Sequence, residues 1–170
     1  MTTHLSALLH KARRLGLGPQ ELEWLAIQRG CDYYQSAEPA PALQISLEEL
    51  SNAELAIALL NPALRYHPQT LRLGAAMLSS EDCAPEEIAR LAILERCEAV
   101  VRYIADCGSR FEPRNPFWPT LLGLLPQLPP PKSSVVPHPT RFVAMTGMTR
   151  RGRETVVEWI RPSASALAHG

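Results

Sequence analysis

Between positions 126 and 139 the chain carries six prolines: Pro126, Pro129, Pro130, Pro131, Pro137 and Pro139. Each fixes its own φ, lacks a donor N–H and pushes the preceding residue away from helical geometry. A stretch built this way is neither a helix nor a central strand. It predicts a semi-rigid, extended linker over residues 126–140. The linker divides the chain into two parts whose apolar residues repeat with different periods. The fold class expected is mainly α: a bundle of about five or six helices over 1–125, then the Pro-rich linker, then a C-terminal β-hairpin.

The helical part is punctuated by caps. Leu5, Leu8, Leu9, Ala12 and Leu15 recur at helical spacing, and Gly16 terminates them. Pro19 opens a second helix with Leu22, Trp24, Leu25 and Ile27, and Gly30 ends it. Two capping boxes follow, Ser46/Glu49 and Ser51/Glu54, and the second sets a helix start at Ser51. Asn61-Pro62 stops that helix, and His67-Pro68 begins the next. Pro85, Glu86 and Glu87 start what reads as the longest helix, 85–107, apolar over more than half its circumference. Such a helix belongs at the centre of a bundle, with Glu98, Arg102 and Asp106 as its solvent stripe. Asn115-Pro116 opens a last helix carrying Phe117, Trp118, Leu121, Leu122, Leu124 and Leu125. No repeat period survives along the chain, so a bundle is a simpler reading than an α-solenoid.

Beyond the linker the residues turn β-branched and aromatic. Runs 142–146 and 155–160 flank Arg150-Arg151-Gly152-Arg153, which reads as a hairpin arm over 141–162 with a cationic tip. Residues 163–170 read as a flexible tail. A two-stranded hairpin is marginal alone in water, so its apolar side needs a surface to lie on.

Net charge is zero, which argues against generic binding to nucleic acid or anionic membranes. The charge is unevenly placed. Residues 1–125 hold 11 basic and 15 acidic side chains, a net −4, whereas residues 126–170 hold 6 and 2, a net +4. The basic arm therefore suits an acidic surface, either the helical body of its own chain, that of a partner copy, or an external partner. Fifteen of the 17 basic residues are Arg, which with the Ala and Pro content fits GC-rich coding better than phosphate recognition. Cys31, Cys83, Cys97 and Cys107 form no CxxC pair and no metal-ligand spacing with a histidine. They read as reduced thiols in a cytoplasmic protein. No window suits a transmembrane helix. The acid-free first 20 residues match a transit peptide only in composition and run on into the second helix without a break.

Four features invite a functional reading. The segment 86–104 has helices of the right kind for a helix-turn-helix, but no turn former stands at 93–96, so one continuous helix is expected. Arg150, Arg151 and Arg153 could act as the wing of a nucleic-acid-binding fold, or form a solvated turn around Gly152. Phe117 and Trp118, flanked by prolines, could line a ligand groove, although such aromatics more often fix a helix end to the core; separately, Pro126-Gln-Leu-Pro129 has the PxxP spacing of an SH3-type ligand, a pattern common by chance. His4, His10, His67, His138 and His169 lie in no catalytic motif, and no phosphate loop, GxSxG or HExxH is present. No cofactor or metal is implied. The reading that results is a non-catalytic protein-interaction or self-association module. The alternatives are a nucleic-acid-binding regulator using the basic tip, and an enzyme whose site assembles from distant residues.

Overall fold

The computed structural model describes residues 6–31, 41–64, 68–131, 148–151, 154–157 and 162. Among them are seven α-helices: α1 Ala7–Arg14, α2 Pro19–Gln28, α3 Asn52–Leu59, α4 Pro68–Leu78, α5 Pro85–Leu94, α6 Glu98–Phe111 and α7 Phe117–Leu124. A single 3-10 turn, Pro62–Leu64, lies between α3 and α4.

The predicted caps are where the sequence placed them. Ser6, which was not among them, accepts from the Leu9 amide at the start of α1. Ser51 and Glu54 close a reciprocal capping box on α3, and Pro19 and Pro85 occupy the first turns of α2 and α5. The two Asn-Pro pairs do the same local job. Asn61 Oδ1 accepts from the Ala63 amide at 3.0 Å, and Asn115 Oδ1 from the Phe117 amide at 3.1 Å, so each side chain opens the turn its proline begins.

The expected long helix 85–107 is in fact two helices, which is why seven are present. Arg96 takes φ 59°, a left-handed conformation, as Gly16 (82°) and Gly30 (121°) do after α1 and α2. At all three sites the next amide reaches back five residues: Leu17 to Ala12 O (2.8 Å), Cys31 to Ala26 O (3.2 Å) and Cys97 to Ala92 O (2.9 Å). The left-handed residue bonds back three, to Arg13, Ile27 and Ile93 respectively. These are Schellman exits, with a buried apolar residue closing each. Ala26-Ile27-Gln28-Arg29-Gly30-Cys31 and Ala92-Ile93-Leu94-Glu95-Arg96-Cys97 share one frame. In the second, arginine stands where glycine would signal the stop.

The centre of the bundle is α3, not the 85–107 segment. Asn52, Ala53 and Leu55 to Leu59 are all buried, and α3 packs against α1, α2, α4 and α5. Approach to α4 is close because Gly74 has no side chain: a Cβ there would lie 2.6 Å from Leu60 Cδ2. The predicted solvent stripe also differs. Arg102 does not pair along the helix but donates to the Leu122 and Pro126 carbonyls, both at 3.4 Å. Asp106 pairs instead with Arg110 at 3.0 Å. Lys11 joins α1 to the α3 capping box through Glu54 at 2.7 Å.

In the C-terminal region β1 (Met148–Arg151) pairs antiparallel with β2 (Glu154–Val157), Met148 opposite Val157 and Arg151 opposite Glu154. The expected first strand 142–146, the linker beyond 131, residues 158–161 and the tail 163–170 lie outside the described residues.

Candidate functional site

Two buried polar clusters are the first places to look for chemistry. Glu95 is 1% exposed. Its Oε2 accepts from Ser6 Oγ (2.6 Å) and Asn61 Nδ2 (3.3 Å), and its Oε1 from the Leu8 amide (3.0 Å). The carboxylate thus caps α1 from a turn nearly 90 residues away, at the positive end of that helix. Arg29 is the hub of the other cluster. It donates to Asn52 Oδ1 and to the carbonyls of Ile45 and Ser46, while Asn52 Nδ2 donates to both Asp82 oxygens. Burial holds the Arg29 pKa below its ordinary value, against the opposing pull of Asp82. Both clusters bond their own members and join distant segments. They are polar joints of the fold.

The thiols are similarly committed to packing. All four cysteines are buried and none forms a disulfide. Burial pushes Cys107 up to about 11 and Cys97 to about 12, and raises Cys83 further. A protonated, covered thiol is a poor nucleophile and metal ligand. No group of three metal-binding side chains occurs among the described residues. A cavity between α1 and α2, lined by Leu9, Arg13, Leu17, Leu22 and Leu64 among others, measures about 40 Å³, too small for a substrate.

The sequence-derived candidates separate. Trp118 is fully buried and donates from Nε1 to Glu112 Oε1 at 2.8 Å. Its ring lies on the α6 backbone at Gly108, where any Cβ would overlap it. Phe117 is half-buried and meets Trp118 edge to face at 5.0 Å. The pair fastens α7 to α6. Arg150 and Arg151 are on β1, opposite Thr155 and Glu154, and Arg153 lies outside the described residues. His10 is exposed on α1, and the other four histidines lie outside the described residues.

Where the sequence predicted one continuous helix, a three-residue turn, Glu95–Cys97, joins α5 to α6. Yet α6 buries Val100, Val101, Tyr103, Ile104, Ala105, Cys107 and Gly108. What remains on its outer side includes Glu98 and Asp106, with Arg110 paired to the latter. That side offers little positive charge for a phosphate backbone.

A different surface appears at one end of the α5–α6–α7 unit. Trp118 meets α6 at Gly108, whereas Leu122 and Pro126 meet it at Arg102, so α7 runs antiparallel to α6. The last turn of α7 therefore lies beside the first half of α6, one short turn away from the end of α5. The four large apolar side chains that remain exposed among the described residues are Ile93 (49%) and Leu94 (55%) at the end of α5, Leu124 (43%) at the end of α7 and Leu128 (38%) just after it. Nothing in the sequence marks Ile93 and Leu94 as uncovered, because the 85–107 segment is apolar over most of its circumference, and Leu124 reads like the other leucines of α7.

No helix among the described residues is long and apolar enough to cross a membrane. Comparison with protein-family models, with curated proteins and with solved structures gives no match.

Proposed function

We propose that this protein is a non-catalytic interaction or assembly module that works through the apolar end formed by α5, α7 and the start of the proline run. The observation that carries the reading is that the large apolar side chains left exposed among the described residues, Ile93, Leu94, Leu124 and Leu128, stand at or just beyond the C-terminal ends of two helices that pack on each other. Apolar side chains grouped in this way mark contact sites more often than single exposed leucines do. The polar clusters support the reading from the other side, since their hydrogen bonds are directed at one another.

The test replaces Ile93 and Leu94 together by Asp in the full chain. The variant keeps its helical circular dichroism and its thermal midpoint, because exposed positions contribute little to stability, within about 0.5 kcal/mol each. It loses the binding of an apolar-surface dye and any concentration-dependent association that the unmodified chain shows. A variant that unfolds would place the pair in the core and end this reading. So would an unmodified chain that neither binds the dye nor associates.

A further inference from the structure

The apolar end lies at the root of the linker. Arg102 holds the Leu122 and Pro126 carbonyls, and Leu128 follows two residues later, just before Pro129-Pro130-Pro131. Whatever covers Leu94 and Leu124 does so beside the point where the C-terminal arm departs. Building on the reading above, we propose that the occupant is the arm of a second copy of this chain, exchanged reciprocally across a two-fold axis.

Three arguments favour this occupant. The first is charge. Residues 126–170, the arm with its linker and tail, carry a net +4, and residues 1–125 a net −4. Near the apolar end, Glu98 opens α6 with its Oε2 buried and without a hydrogen-bond partner, and it belongs to no ion pair among the described residues. Opposite charges set the register of an interface and speed its formation. The second is need, because a two-stranded hairpin is marginal until a surface covers it. The third is reach. Fourteen proline-rich residues in extended form span roughly 40 Å, somewhat more than the roughly 35 Å diameter of a body of about 120 residues. A stiff tether of that length gives a low effective concentration at a site beside its own root and a higher one at a site a body's width away. Two copies satisfy both tethers at once, and the exchange closes without leaving a free arm.

The experiment is complementation between two full-length variants, read by multi-angle light scattering. The unmodified chain is expected at twice its 18.8 kDa mass. Leu94→Asp breaks the docking end, and Val156→Asp breaks the arm, so each alone is expected to be monomeric. Mixed in equal amounts, they recover a dimer, because the intact arm of the first docks on the intact end of the second. Arg150→Glu combined with Arg151→Glu supplies a second arm variant, expected to weaken the dimer about tenfold. A mixture that stays monomeric overturns the exchange. A dimer that survives both arm variants overturns it too, while leaving the apolar end itself as the contact. A monomeric unmodified chain also overturns the exchange, and the dye experiment then decides separately whether the apolar end is an interaction surface at all.

Discussion

Helices α3 and α7 have the same length, eight residues, and similarly apolar sequences, Asn-Ala-Glu-Leu-Ala-Ile-Ala-Leu and Phe-Trp-Pro-Thr-Leu-Leu-Gly-Leu. Their surroundings differ. In α3 every residue but Glu54 is buried, whereas in α7 only Trp118 and Leu121 are. Four other helices enclose α3, while α7 rests on α5 and α6. Apolar composition therefore states that a helix needs cover and does not state who supplies it. Where the chain supplies it, the result is a core. Where part of the helix stays open, the remaining surface is available to another partner.

The sharpest way to break this comparison is to truncate one side chain on each helix. Ile57→Ala removes a fully covered side chain and is expected to cost about 2–5 kcal/mol, whereas Leu124→Ala is expected to change stability by less than about 0.5 kcal/mol. Urea denaturation of the two variants checks this. Equal losses would mean that α7 is as enclosed as α3. A smaller effect is expected at the polar joint beside the C-terminal end of α3. Glu95→Ala leaves Ser6, the Leu8 amide and Asn61 without their shared acceptor, for a loss of about 2–3 kcal/mol. Hydrogen exchange should show that loss as earlier opening of α1, with α7 unaffected. Smallest, and of opposite sign, is Arg96→Gly. It relieves a left-handed arginine and should stabilise the chain by about 1 kcal/mol, measured as a raised thermal midpoint. Because Arg96 lies two residues beyond the α5 end, this variant also separates stability from association. A more stable body with unchanged self-association keeps the two properties distinct.

What the sequence revealed and what it hid follow from the range of the interactions involved. Caps and prolines are local, so the starts of α2, α3 and α5 were readable at Pro19, Ser51 and Pro85. The break at Arg96 was not, because arginine is a good helix former and its left-handed geometry is imposed by partners far along the chain. Glu95 is held by α1 and Asn61, and Cys97 is buried in the core. Tertiary bonds outweighed local preference there. The same limit concealed α3 as the hub. Its residues are apolar all round, as are those of the 85–107 segment, and length favoured the wrong one. Phe117 and Trp118 could be recognised as aromatics in need of cover. Their seat on α6 depends on Gly108, a residue that gives no such signal from sequence position alone. Ile93 and Leu94 look like every other aliphatic pair in the chain until their neighbours are known.

The Arg102 contact has a mechanical consequence. Tension drawn along the proline run enters the body at Pro126, where the guanidinium grips Leu122 and Pro126 carbonyls. Because α7 lies antiparallel to α6, the Arg102 contact stands at the end of α7 where that load enters. The indole of Trp118, seated on Gly108, holds the opposite end of α7. A load entering at Pro126 therefore meets the Arg102 contact before the Trp118 seat, and α7 stands between that entry point and α6.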